Sequence, residues 1–165
     1  MAKASQPLLD KLEELNRTVL DVVSDVTPAE WEVASAEENW PLGLLLSHIG
    51  TGYRNSAHWI GSIIAGQPLT ITGQDIGDAN DRAEAAYTRQ SGEELLANLK
   101  ENMDALTRFV DGLSEEQLAL KQPMALIGGK ESSPFTIVKV LQSHTLGHLD
   151  SFKMTLASVR DEVTS

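Results

Sequence analysis

The chain has 165 residues, of which 41% are hydrophobic and 22% charged, and its formal net charge at pH 7 is −11. This length predicts a single domain, residues 1–165, and the acidic balance disfavours nucleic-acid and membrane partners. The absence of cysteine excludes disulfides, thiolate nucleophiles and cysteine-ligated zinc sites. We find neither a signal-peptide pattern nor an apolar run of the ~20 residues that span a bilayer, so we expect a cytoplasmic protein.

The first long segment with helical periodicity runs from about Pro7 to Val26. Its leucines and valines recur three and four residues apart, which places them in one apolar stripe. The segment 27–30, Thr-Pro-Ala-Glu, has the pattern of a capping box with proline at the first helical position. It predicts a short helix between the first and second long helices.

The second long helix is predicted to start at Pro41 and to end near Gly66 and Pro68. More than twenty residues then separate it from the third long helix, and such a long crossover allows the two helices to lie parallel. Within the crossover, "DANDRAEAAY" is predicted to be helical and "LTIT" to form a short extended piece.

The third long helix is predicted over residues 91–112, where Ser91 and Glu94 have capping-box spacing. A short helical turn is expected at 114–117. The fourth long helix is predicted to begin after Ser133 at Pro134 and to continue to about Arg160. Four amphipathic helices with little strand signal predict an all-α four-helix bundle.

Two of the four histidines, His144 and His148, lie at positions i and i+4 of the fourth helix, in "HTLGH". Leu141 precedes them and Phe152 follows them on the same face, so both imidazoles should point into the bundle. Burying them is costly unless each finds a polar partner, and a metal ion would provide one. Histidines at this spacing also occur by chance on helix surfaces.

A metal site needs at least one further protein ligand. The remaining histidines, His48 and His58, are ten residues apart on the second helix, which corresponds to about 15 Å of rise and roughly 80° of rotation. They cannot share one metal ion. Because His48 follows Leu45 on the buried face, we assign His48 as the third candidate ligand and interpret His58 as a surface histidine.

The sequence resembles the DinB/YfiT-like superfamily of metalloenzymes over nearly its whole length. The resemblance is carried by Trp40, by His48 in the second helix, by the crossover containing "DANDRA" and by the terminal "HTLGH". It implies an up-down-down-up bundle and a divalent metal ion bound by His48, His144 and His148. One departure is Pro41, which stands where a capping serine or threonine is expected.

Characterised members of the superfamily include thiol-dependent transferases and isomerases. Three neutral imidazoles leave a divalent ion its charge and open coordination positions, with which it can lower the pKa of bound water to about 7 or stabilise a thiolate. Zinc, nickel, iron and manganese all accept imidazole, so the metal stays open. The expected function is therefore a metal-dependent transferase that uses an external low-molecular-weight thiol on a small-molecule electrophile. The alternatives are a metal-dependent hydrolase and a non-catalytic binding module.

Small residues on the second and fourth helices predict a pocket beside the metal, although close helix packing would explain them equally well. The candidate lining residues are Thr51, Gly52, Asn55, Gly147 and Ser151. No carboxylate has an obvious general-base position, because Asp150 should face away from the site. Asp81 and Glu84 are candidates only if the crossover folds over the site. A homodimer is a plausible assembly.

Overall fold

The computed structural model describes residues 3–164. Four long helices dominate it, and the shorter elements lie in the connections between them. The helices are α1 (Gln6–Val23), α2 (Leu42–Ile64), α3 (Gly73–Ala86), α4 (Gly92–Asp111), α5 (Glu115–Leu118) and α6 (Pro134–Thr164). Two short strands, β1 (Gln122–Met124) and β2 (Lys130–Ser132), pair antiparallel, and 3-10 turns occur at Glu30–Glu32 and Ala125–Ile127.

The bundle consists of α1, α2, α4 and α6. Both α1 and α2 pack against α4 and against α6, whereas α1 and α2 make few contacts with each other. This is the up-down-down-up arrangement, and the all-α bundle expected from the sequence is confirmed. Within residues 3–164, no helix has both the length and the apolar character to cross a bilayer.

The connection between α1 and α2 is held by polar contacts at its start. The α1 helix ends at Val23, three residues before the predicted end, and Thr27 and Glu30 then form the expected reciprocal bonds. The Thr27 N–H donates to Glu30 Oε1 over 2.9 Å, and the resulting short helix is the 3-10 turn Glu30–Glu32. Trp31 in this turn is buried and packs edge-on against Phe152 of α6, with 5.8 Å between ring centroids.

The same connection ends in a tight loop before α2. Pro41 occupies the N-cap position of α2, and no side chain caps this helix. Instead, the Ser35 N–H donates to the Trp40 carbonyl over 2.7 Å and the Leu42 N–H donates to the Val33 carbonyl over 2.9 Å. Backbone bonds therefore fix the helix start that a capping side chain would otherwise set.

The long crossover contains α3, which starts at Gly73 after the N-cap Thr72 and is five residues longer at its N-terminus than predicted. None of its residues is fully buried, so α3 lies on the surface of the bundle, where the half-buried Ile76 packs against the core. The predicted extended piece is present at Leu69, which forms a parallel bridge with Met124.

Sequence patterns missed the hairpin of β1 and β2, because three-residue strands are too short to show alternation. Its turn contains Gly128 and Gly129, whose φ angles of 73° and 80° favour glycine.

Candidate metal centre

Three histidines from two helices meet inside the bundle. His48 comes from α2, while His144 and His148 lie one turn apart on α6. Each offers a ring nitrogen within 4.8 Å of the nitrogens of the other two. The Nε2 atoms of His48 and His144 are 2.9 Å apart, and all three ring centroids lie 4.6–4.8 Å from one another. The structure thus brings together the three residues chosen from the sequence, and His58 lies exposed elsewhere on α2.

Two of these imidazoles are held in the neutral form. Burial, reinforced by the neighbouring imidazoles, lowers the pKa of His48 to about 4. Burial and the nearby His148 likewise lower the pKa of His144 to about 4. At pH 7 both rings are therefore uncharged, and each has one nitrogen lone pair available to bind a cation.

The spacing of the nitrogens suits one divalent ion. Metal–imidazole bonds of 2.0–2.1 Å at tetrahedral angles place ligand nitrogens about 3.3 Å apart. The 2.9 Å separation of His48 and His144 is slightly shorter, and all three nitrogens lie within 4.8 Å. Small side-chain rotations separate this arrangement from a coordinated one, so the donor set fits.

His148 is oriented by a carboxylate that sequence patterns did not identify. Its Nδ1 donates to Glu38 Oε1 over 2.8 Å, which leaves Nε2 as its lone-pair nitrogen. The other carboxylate oxygen of Glu38 accepts from the Ser151 hydroxyl over 2.6 Å. Burial alone would raise the pKa of Glu38, but hydrogen bonds from Ser151, His148 and Ser35 outweigh it and leave this pKa below its ordinary value.

The loop that carries Glu38 is itself attached to α6. The Ala36 N–H donates to Thr155 Oγ1 over 2.9 Å, and the Glu37 N–H donates to Ser151 Oγ over 3.3 Å. Both α6 hydroxyls are buried, and each accepts a hydrogen bond from an N–H of the loop. Ser151 therefore supports Glu38. Ser151 is not among the residues that line the cavity beside the histidines, although the small-residue pattern predicted that it would line a pocket.

A cavity of about 290 Å³ lies beside His48 and His144, between α2, α6 and α3. Three of the residues proposed from the sequence line it, namely Thr51, Gly52 and Asn55. Gly52 makes room for the imidazole ring of His144, because a Cβ at position 52 would lie only 3.3 Å from His144 Nδ1. Gly147, which was also predicted to line a pocket, is exposed on the outer side of α6 and does not line this cavity.

The crossover does fold over this cavity, but with a different face from the one that carries the candidate acids. Ile76, Asn80 and Ala83 of α3 line it, whereas Asp81 and Glu84 are exposed and point elsewhere. Neither is a lining residue. Asp150 is exposed, as expected from its position two residues after His148.

The protein is therefore a four-helix bundle with a candidate metal centre. Two of its helices present three imidazoles beside an apolar cavity. The chain belongs to the DinB superfamily, whose sequence profile matches residues 11–151. This confirms the resemblance drawn from the histidine motif and the crossover. A comparison with curated protein sequences gave no significant match.

Solved structures that share the fold include YfiT and a maleylpyruvate isomerase. YfiT from Bacillus subtilis, described as a probable metal-dependent hydrolase with an unusual four-helix bundle topology, matches with a TM-score of 0.72 and 13% identity over 96% of this chain and 90% of its own. The mycothiol-dependent maleylpyruvate isomerase matches with a TM-score of 0.71 and 12% identity over 92% of this chain. The match spans 63% of the isomerase, less than two thirds of its length. At such identities the likeness establishes the fold alone.

Proposed function

We propose that this protein is a metal-dependent enzyme that transfers a small external thiol to an electrophilic small molecule. In this proposal His48, His144 and His148 hold one divalent ion. The observation that carries it is the convergence of the three imidazoles at the wall of a cavity large enough for a small molecule. Three imidazole ligands do not determine which metal binds, because zinc, nickel, iron and manganese all accept imidazole.

Each residue of the site then has a defined task. A divalent ion at these nitrogens would supply a Lewis acid that lowers the pKa of a thiol or a water molecule bound to it. His48 and His144 line the cavity, so a molecule bound there lies next to their nitrogens. Glu38 holds the Nδ1 proton of His148, which keeps Nε2 in the form that can bind a cation.

The thiol has to come from outside, because the chain contains no cysteine. One of the proteins that share this fold is described as mycothiol-dependent, which supports a thiol as co-substrate. The chain's own contribution would be to orient the thiol and the electrophile within one cavity, which is a large source of rate enhancement.

Hydrolysis is the second candidate, and one observation favours it. The match to YfiT, described as a probable metal-dependent hydrolase, covers 90% of that chain, whereas part of the isomerase lies outside the match. Three imidazole ligands also suit the activation of water, whose pKa in such zinc sites falls to about 7.

Elemental analysis tests the metal site. Wild type, His144→Ala and His58→Ala would be purified in parallel, reconstituted with each metal and dialysed. We expect stoichiometric metal in wild type and in the His58→Ala control, since His58 is an exposed histidine of α2, and its loss in His144→Ala. Wild type that stays free of metal after reconstitution would refute the assignment of the ligands.

Two turnover assays on the reconstituted protein separate the reactions. Consumption of a thiol with an uncharged aryl halide supports transfer, and cleavage of an uncharged aryl ester without thiol supports hydrolysis. Either activity should disappear in His144→Ala and persist in His58→Ala. Stoichiometric metal with no turnover in either assay would contradict both reactions and leave a binding module.

A further inference from the structure

We infer that the part of the substrate that occupies the cavity is uncharged and mainly apolar, with a carbonyl or amide as its polar group. This inference rests on the proposed function, because it concerns the molecule presented to the three histidines. It is carried by the chemistry of the cavity walls.

Apolar side chains come from every element around the cavity. They include two tryptophans, one before α2 and one within it, and aliphatic residues of α2, α3, α6, the segment before α3 and the 3-10 turn after β1. These residues are Trp40, Leu44, Trp59, Ile71, Ile76, Leu126, Val140 and Leu141. A charged group placed among them would lose its hydration without a replacement.

The hydroxyl groups in the walls are already engaged. Ser47 donates to the Gly43 carbonyl over 3.1 Å, Thr51 to the Ser47 carbonyl over 3.0 Å, and Ser56 to the Gly52 carbonyl over 2.8 Å. Each hydroxyl proton is thus donated to a backbone carbonyl of α2. These groups have no proton left to donate to an anionic ligand.

The charge in the walls has the wrong sign for an anion. None of the residues lining this cavity is lysine or arginine, and the charged one among them is Asp75. Its carboxylate accepts from the N–H and the hydroxyl of Thr72, and these bonds lower its pKa, so it is an anion at neutral pH. The overall charge of −11 adds to this potential. A carboxylate in the cavity would therefore meet repulsion and find no cation there apart from the proposed metal ion.

Two neutral amides remain to recognise a polar group. Asn55 of α2 and Asn80 of α3 both line the cavity, and neither side chain makes a hydrogen bond within residues 3–164. An amide offers both a donor and an acceptor, which matches a carbonyl, an ester or an amide group. This is the basis for the polar group in the proposed substrate.

A pair of nearly isosteric probes tests the inference, namely benzamide, which is neutral, and benzoate, which is an anion. Binding is measured by ligand-detected NMR on metal-free protein kept in chelator, so that benzoate cannot bind a metal ion. We expect benzamide to bind at least about tenfold more tightly than benzoate, because the anion loses hydration without a counter-charge. Equal or tighter binding of benzoate, or failure of benzamide to bind, would overturn the inference.

A charge-addition variant sharpens the test. Asn80→Lys adds a cation to the cavity from α3, a helix with no fully buried residue, and should reduce the preference for benzamide by at least about tenfold. Asn98→Lys adds the same charge on α4, outside this cavity, and should leave the preference unchanged. The same response in both variants would show that the probes bind elsewhere and would contradict the inference.

The two proposals fail in different measurements. The probe experiment uses metal-free protein, so it is independent of the metal analysis and of turnover. Metal binding without discrimination between the probes would refute the substrate class alone. Discrimination between the probes in a chain that binds no metal would refute the proposed function alone.

Discussion

Two glutamates in the connection between α1 and α2 bind α6 in similar ways. Glu30 accepts from Arg160 Nε over 2.9 Å, and Glu38 accepts from His148 Nδ1 over 2.8 Å. Their side chains are almost equally buried, with 10% and 11% exposed. Distance and burial therefore do not separate a structural carboxylate from one that serves a site. The two glutamates differ in the partner that donates to them, Arg160 in one case and His148 in the other.

Arg160 keeps its charge at all relevant pH values, so its bond to Glu30 is an ion pair that ties the connection to the last turns of α6. His148 instead has a second ring nitrogen, which faces the other two histidines. The bond from Glu38 thus fixes both the ring orientation and the proton position of a candidate ligand, as carboxylates behind metal-bound histidines do.

The largest effect is expected for His148→Ala. It removes one of three ligands and the hydrogen bond to Glu38 Oε1, so metal affinity should fall by more than about 100-fold, the upper end for outer-shell partners. Competition with a chromophoric chelator measures this affinity. His58→Ala serves as the control, and an affinity equal to that of wild type in His148→Ala would remove His148 from the site.

Glu38→Gln should come next. It keeps the size of the side chain but removes the negative charge that holds the His148 proton, and metal affinity should fall about 10–100-fold. The neighbouring, exposed Glu37 allows a matched control, Glu37→Gln, which should leave affinity unchanged. Thermal unfolding of the metal-free proteins distinguishes the roles, since loss of stability with normal metal affinity would make Glu38 purely structural.

Glu30→Gln should show the opposite pattern. Because Arg160 is partly exposed, with 43% of its side chain accessible, the free energy of unfolding should fall by only about 1 kcal/mol. Urea unfolding at pH 7 measures this change. Metal affinity should equal that of wild type, and a clear loss of it would erase the contrast between the two glutamates.

The smallest effect is a pH dependence that belongs to Glu30. The hydrogen bond from Arg160 outweighs burial and, together with bonds to Thr27, lowers the pKa of Glu30 from 4.5 to about 2. Between these values the unfolded chain binds a proton at this group that the folded chain does not, so the stabilisation is present above pH 4.5 and is lost as the pH falls toward 2. The stabilities of wild type and Glu30→Gln should therefore converge over this range in urea titrations. Parallel curves would contradict the assignment.

Sequence patterns predicted the four long helices and all three clustered histidines, because helical periodicity and the i, i+4 spacing are local rules. Sequence patterns did not identify Glu38, because its contact with the site is not local in the sequence. It lies 110 residues from His148, in a loop without periodicity, and no spacing rule relates the two.

Ser151 was misassigned because small residues indicate room as readily as they indicate a hydrogen-bond partner. Only the docked loop reveals that its hydroxyl is bonded to Glu38. The face that α3 turns toward the cavity was equally out of reach, since none of its residues is buried and its apolar pattern is short.

The exposed position of α3 has a consequence for how proteins of this kind diversify. A helix that contributes no buried residue can change its sequence with little effect on folding, yet Ile76, Asn80 and Ala83 form one wall of the cavity. The composition of this wall can therefore change by mutation of a segment that the core constrains little. The walls from α2 and α6 differ in this respect, because their lining residues Trp59 and Leu141 also belong to the hydrophobic core.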